Sequence, residues 1–165
     1  MAAGSTYTPI ATTTLGSAAS SYSFTSIPST YTDLILVFAG SSSAGNAPYF
    51  TVNGDSGTNY STTALLGNGS AASSGRTSNQ AVGYLGGFSV GIGTSQATMV
   101  IQFQNYSNTT TYKTVLSRLS ATQYEAEATV SLWRSTSAIN RIDVGIGGAT
   151  YSVGSTFTLY GIAAA

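Results

Sequence analysis

Apolar and β-branched residues recur along the chain in short runs, and clusters of Gly, Ser, Asn and Asp separate these runs. Residues 97–104 show the alternation clearly, with Met99, Ile101 and Phe103 sharing one face. A period of two is that of a β-strand half-buried against a core. No long stretch shows the 3.6-residue period of an amphipathic helix. Nine strands are predicted, at residues 21–26, 33–39, 49–52, 60–66, 97–104, 111–119, 125–133, 139–146 and 156–162.

The number and spacing of these runs predict an all-β fold. Some eight to ten antiparallel strands joined by turns are typical of a two-sheet sandwich, and we predict a jelly-roll-like one. An immunoglobulin-like sandwich is the lesser alternative because the chain has no cysteine. A chain of 165 residues suits a single domain. We predict that residues 20–165 form this domain and that residues 1–19, rich in Ala, Ser and Thr, form an extended N-terminal arm.

The sequences of two segments between predicted strands allow more specific predictions. Asn53-Gly54 favours the positive φ angles of a hairpin turn, so residues 49–52 and 60–66 are expected to be antiparallel neighbours. Residues 67–80 are rich in Ser, Gly and Ala and contain Arg76, and we predict an exposed loop there.

Charge is scarce in this sequence. Charged residues make up 6% of the chain and cancel to a net charge of +0, whereas hydrophobic residues make up 42%. Without a net field, neither nucleic acid nor an anionic membrane is an expected partner. A surface with so few charges gives little protection against self-association, so we expect the protein to work inside an assembly.

Few catalytic designs are compatible with this composition, because the chain has no histidine and no cysteine. Glu125 and Glu127 lie two apart on one predicted strand face, about 7 Å from each other, which overlaps glycosidase geometry. We expect both to be solvated. Lys113 is expected to point outward, and Asp55 is expected to form a tight turn in preference to a calcium site. No cofactor or metal is predicted.

Partner binding has better candidates. The predicted arm carries isolated apolar residues at Tyr7, Ile10 and Leu15, which could dock on a neighbouring protein. Arg76 is the fourth candidate, as the lone charge of the predicted loop. The N-terminus has no signal-peptide pattern, and the longest apolar stretch, residues 34–39, is too short to span a bilayer. We therefore expect synthesis in a cytoplasm.

Several segments resemble a family of small β-sandwich proteins of tailed bacteriophages, notably those infecting cyanobacteria. The matching segments are residues 7–15 (YTPIATTTL), 27–34 (IPSTYTDL), 53–61 (NGDSGTNYS), 132–136 (LWRST) and 154–162 (GSTFTLYGI). The resemblance implies a non-enzymatic protein at the virion surface, made in the host bacterial cytoplasm. Similar domains serve as capsid cement or decoration proteins and as tail-fibre modules. The resemblance supplies no catalytic residue.

A single domain with only a short predicted arm favours capsid cement, which would bind the major capsid protein and itself. Family analogy favours a homotrimer. A tail-fibre or receptor-binding module that recognises a host surface glycan is the alternative. A carbohydrate-binding module would share the fold, and a depolymerase would need Glu125 and Glu127 to converge on a cleft.

Overall fold

A computed structural model describes residues 6–88, 91–123 and 125–163. In these residues the chain forms twelve antiparallel strands in two sheets, which confirms the predicted all-β sandwich and exceeds the eight to ten strands expected. The strands are β1 (Tyr7–Thr14), β2 (Ser21–Phe24), β3 (Asp33–Gly40), β4 (Pro48–Val52), β5 (Tyr60–Gly67), β6 (Ala72–Gln80), β7 (Gly83–Tyr84), β8 (Ala97–Phe103), β9 (Lys113–Ala121), β10 (Glu125–Trp133), β11 (Ile142–Ile146) and β12 (Thr156–Ile162).

The two sheets differ in size. The larger has eight strands in the order β1-β12-β3-β8-β9-β10-β5-β6, and the smaller has four in the order β2-β11-β4-β7. The larger sheet therefore has one face toward the core and one face that points away from the smaller sheet. We call the second of these the outer face.

The core fills the space between the sheets with alternate residues of their strands. Phe38, Met99 and Phe157 of the large sheet are fully buried, as is Phe50 of the small sheet. Phe50 packs edge to face on Phe103, with ring centroids 5.6 Å apart, and so joins the two sheets. The interior is thus an apolar layer of the kind that strand alternation predicts.

The N-terminal segment departs from the prediction. Residues 7–14 form β1, which pairs along its length with β12 at the edge of the large sheet, so the first strand begins at Tyr7 and not near residue 21. Ile10 and Leu15 are partly buried against the core of the same molecule. The Thr-rich sequence concealed this strand because an edge strand needs only a few apolar contacts.

The segment predicted to be an exposed loop, residues 67–80, also differs from the prediction. Residues 72–80 of the expected loop form β6, the other edge of the large sheet, paired with β5. Asn53 and Gly54 do adopt positive φ angles, of 54° and 70°, as the turn prediction requires. The strands on either side of this turn are not neighbours, however, because β4 belongs to the small sheet and β5 to the large one.

Deleting residues 1–15 should destabilise the domain, because the deletion exposes the edge of β12 and removes Ile10 and Leu15 from the core. We expect the free energy of unfolding to fall by about 2–4 kcal/mol, measured by urea denaturation. Tyr7→Ser is the control, since Tyr7 is mostly exposed, and it should change stability by less than about 0.5 kcal/mol. A truncated protein as stable as the full chain would show that residues 1–15 behave as a dispensable arm.

Candidate functional site

Strand β10 has its polar face inside and its apolar face outside. Glu127, Thr129 and Ser131 are buried, whereas Ala128 and Val130 on the opposite face are exposed. The sequence shows the alternation of the two faces along this strand. The prediction that both glutamates face solvent is nevertheless wrong for Glu127, which is buried.

A short backbone segment inside the sandwich explains this reversal. Four buried hydroxyl residues of the large sheet face strand β7 and the residues after it, and we call them the hydroxyl row; they are Thr62, Ser117, Thr129 and Ser131. The Tyr84 N–H donates to Thr62 Oγ1 at 3.1 Å, and Ser131 Oγ donates to the Tyr84 carbonyl at 3.0 Å. Ser117 Oγ donates to the Leu85 carbonyl at 2.6 Å.

The members of the hydroxyl row also bond to one another. Thr62 and Ser131 are 2.7 Å apart between their hydroxyl oxygens, and Ser117 and Thr129 are 2.6 Å apart. A buried backbone group without a partner costs free energy comparable to a lost hydrogen bond. The inner face of β5, β9 and β10 therefore carries hydroxyls at these positions, and the apolar residues Leu65, Leu116 and Val130 of the same strands lie on the outer face.

The outer face consequently presents a patch of exposed hydrophobic side chains. Leu65, Leu116 and Val130 are 60%, 37% and 42% exposed. Val130 lies directly opposite Leu116 on β9, and Leu65 lies opposite Ala128 on β10. Side chains at opposed positions on one sheet face are in contact range, so these residues form one patch.

The patch continues into a shallow trough toward the other edge of the sheet. A depression of about 390 Å³ adjoins Leu116, and its lining includes Tyr7, Val100, Gln102 and Arg118. Tyr7 packs edge to face on Tyr160 at that end, with ring centroids 6.0 Å apart. The trough therefore runs from an aromatic pair, past one arginine, to an aliphatic surface.

Two of the four predicted partner-binding residues lie on or beside this face. Tyr7 is exposed at the aromatic end, and Arg76 is exposed on β6 beside Thr63 and Val130. Ile10 and Leu15 pack against the core of their own molecule instead.

The residues that the sequence did not indicate are Leu65, Leu116, Arg118 and Val130. The alternation of residues along these strands is visible in the sequence. The signal that could have identified the exposed residues is the set of Ser and Thr residues on the other face of the same strands.

The two glutamates of β10 lie at one end of the hydroxyl row, where Glu127 is buried and Glu125 is partly buried. Glu127 is 5% exposed, and no described residue donates a hydrogen bond to either of its carboxyl oxygens. A Cβ atom added at Gly86 or Gly87 would lie 3.1 Å from Glu127 Oε2, so this contact requires small residues. Glu125 Oε1 accepts a hydrogen bond from the Gly91 N–H at 2.8 Å.

Burial, together with the hydrogen bond and charge of Glu125, raises the pKa of Glu127 to about 8. At neutral pH, Glu127 is therefore mainly protonated. Residues two apart on a strand are about 7 Å apart, which overlaps the roughly 5–10 Å by which glycosidases separate their carboxyls, but Glu127 lies on the buried face of β10. Glu127 is therefore suited to holding a proton inside the sandwich.

Lys113 and Asp55 also have internal roles. Lys113 is buried, against expectation, and its Nζ donates to the carbonyls of Thr111 and Thr136 at 2.8 and 3.2 Å, while burial lowers its pKa. Asp55 forms the expected tight turn, accepting from the Gly57 N–H at 2.8 Å and from Trp133 Nε1 at 2.6 Å. The described residues contain no group of three or more His, Cys, Asp or Glu that could hold a metal ion.

No protein-family model and no curated protein matches this chain. Among solved structures, a mutant of the alginate lyase Aly36B in complex with alginate tetrasaccharide has a TM-score of 0.30 and 8% identity, over 93% of this chain and 80% of that chain. A likeness of this size carries no argument about function. In the described part of the chain, no helix is long and apolar enough to cross a membrane.

Stability should decrease as the pH rises from about 5 to 8. Glu127 has a higher pKa when folded than the ordinary value of 4.5, so the folded state binds the proton more tightly. This stabilisation is complete below the unfolded pKa and is lost as the pH rises through about 8, with a slope of up to about 1.4 kcal/mol per pH unit. Denaturant titrations across this range measure the slope.

Glu127→Gln keeps the side-chain shape but cannot titrate, so it should remove most of the slope. Asp143→Asn is the control. Burial opposes ionisation of Asp143, but hydrogen bonds from Arg141 and Ser23 lower its pKa, which places its titration below this window. A Glu127→Gln variant with the wild-type slope would show that Glu127 is not the group responsible.

Proposed function

We propose that this protein is a non-enzymatic structural protein that attaches to an assembly through the outer face of its eight-stranded sheet. The observation that carries the proposal is the patch of Leu65, Leu116 and Val130, three large exposed hydrophobic residues brought together on one sheet face. A contiguous exposed apolar patch on a folded protein marks an interaction surface more often than scattered hydrophobic residues do.

The proposed assembly is the virion of a tailed bacteriophage, with the protein as a capsid cement or decoration protein on the major capsid protein. The segment resemblances support this location, as does a charge content of only 6%, which suits a protein with much of its surface covered. Self-association into a closed oligomer, a homotrimer by family analogy, belongs to the same proposal. The host bacterial cytoplasm is the proposed place of synthesis.

The burial of Glu127 supports the non-enzymatic part of the proposal. General acid–base catalysis requires the titrating group to reach a substrate proton. Glu127 is buried, and the backbone at Gly86 and Gly87 packs closely against its carboxyl group. Its raised pKa therefore has a structural origin, and a depolymerase activity gains no support from it.

A tail module that recognises a host surface glycan is the second candidate, and the aromatic end of the trough favours it. Tyr7 and Tyr160 lie beside Gln102, so an aromatic surface adjoins an amide that can donate and accept hydrogen bonds. Aromatic faces with adjacent polar groups suit sugar rings. The patch of Leu65, Leu116 and Val130 has no aromatic residue in the depression that it lines and favours a protein partner.

Leu116→Asp should reduce attachment to particles prepared without this protein by at least about tenfold, because the change places a charge in the centre of the patch. Val153→Asp is the matched control, since Val153 is 64% exposed in a turn that does not line the outer face. Bound copies are measured by quantitative mass spectrometry of purified particles, and thermal unfolding verifies that both variants fold.

Copy number distinguishes the candidates. Hundreds of copies per particle are expected for capsid cement, a few to a few dozen would favour the tail module, and none would refute the virion location. Equal occupancy of wild type and Leu116→Asp would refute the attachment face.

A further inference from the structure

All five acidic side chains of the protein are already engaged or buried. Asp33 accepts from the Asn105 N–H at 2.7 Å and from Gln102 at 3.2 Å. Asp143 is paired with Arg141 at 2.7 Å. Asp55 accepts hydrogen bonds from Trp133 and the Gly57 N–H, Glu125 accepts from the Gly91 N–H, and Glu127 is buried.

Three of the five basic side chains are engaged as well. Lys113 donates to backbone carbonyls, Arg141 pairs with Asp143, and Arg134 donates to the Thr58 carbonyl at 2.5 Å and to Asn79 at 2.9 Å. All ten charged side chains belong to the described part of the chain. Among the exposed charged side chains of the described residues, Arg118 and Arg76 are the two without an ion pair or a side-chain hydrogen bond.

Both unengaged charges belong to the outer face. Arg118 lies in one cross-strand row with Ala128, Leu65 and Ser74, and Arg76 is two residues from Ser74 along β6. Strands are about 4.8 Å apart, and residues two apart on a strand are about 7 Å apart. The backbone positions of the two arginines are therefore separated by about 16 Å, with the aliphatic patch between them.

We infer that the outer face binds a partner protein whose docking surface carries carboxylates on either side of apolar side chains, matching Arg118 and Arg76 around the patch. The inference rests on the proposed function and adds the chemistry of the partner. Arginine binds carboxylates through paired, charge-assisted hydrogen bonds, and these are strongest where the surrounding apolar contact excludes water.

A second copy of this chain does not have that chemistry. Each of its carboxyl groups already accepts hydrogen bonds within its own molecule or is buried, so a contact between copies on this face would offer Arg118 no carboxylate that is free of other partners. Covering an unpaired charge is costly. Nucleic acids and acidic polysaccharides would supply anions but no aliphatic side chains for Leu65, Leu116 and Val130.

A synthetic peptide tests the inference on the intact protein. Glu-Ser-Leu-Ser-Leu-Ser-Glu, acetylated and amidated at its ends, places two leucines between two glutamates on one face of an extended strand. One control peptide replaces both glutamates by Gln, and another replaces both leucines by Ser. Binding is measured by NMR titration, which also identifies the contacted residues, at low and high salt.

We expect the Glu/Leu peptide to shift the signals of Leu65, Leu116 and Val130, and both control peptides to bind about tenfold more weakly. Arg118→Gln should weaken binding about tenfold, a loss of about 1.4 kcal/mol, and Arg118→Lys should restore part of it. Arg141→Gln is the matched control, because it removes the same charge from the small sheet, and it should bind as wild type does.

Other results would overturn the inference. Equal binding of the Gln peptide would show that carboxylates are not recognised. Tighter binding of a polyuronate, unaffected by Leu116→Asp, would identify a glycan as the occupant. Self-association that Leu116→Asp abolishes, measured by sedimentation, would identify a second copy. If the peptide does not bind but Leu116→Asp still lowers particle occupancy, the attachment face stands and the acidic partner is refuted.

Discussion

The hydrogen bonds between the hydroxyl row and the backbone of β7 determine which way the central strands of the large sheet face. Residues 83–85 lie inside the sandwich, where two backbone N–H or C=O groups without partners would cost about as much as a core substitution. Thr62, Ser117 and Ser131 provide those partners and still bond among themselves or to Thr129. On the same inner face, these strands also bury apolar residues such as Ala64, Val115 and Leu119.

The exposed patch is a direct consequence. With the hydroxyls turned inward, Leu65, Leu116 and Val130 must lie on the outer face, since successive side chains of a strand point to opposite sides. The proposed attachment surface and the polar interior are therefore one arrangement seen from its two sides. Exchanging the residues of the two faces, so that the hydroxyls pointed outward, would remove both the polar interior and the apolar patch.

The sequence was sufficient to predict the fold class, because periodicity of two and turn residues are local signals. It was also sufficient to predict the positive φ angles at Asn53 and Gly54 and the tight turn at Asp55. It did not reveal which sheet each strand joins, since the pairing of β4 with β11 and of β5 with β10 involves residues far apart in the chain.

The site was less predictable than the fold. Exposed Tyr7 and Arg76 were recognised as candidates, but Ile10 and Leu15 resemble free anchors only until β1 is seen to pair with β12. Burial of Glu127 and exposure of Leu116 followed from an interior backbone segment that no local pattern specifies. Strand alternation identifies two faces, and only the tertiary structure decides which one is inside.

The scarcity of charge gives each charged side chain a larger role than it has in an ordinary domain. Seven of the ten are engaged with partners in the protein, and the buried Glu127 avoids an unpaired negative charge by retaining its proton. Arg118 and Arg76 remain without such partners on the face that carries the apolar patch. A net charge of +0 therefore conceals an uneven distribution, in which the two unengaged charges are both cations beside the patch, and each carboxyl group is either engaged in a hydrogen bond or buried.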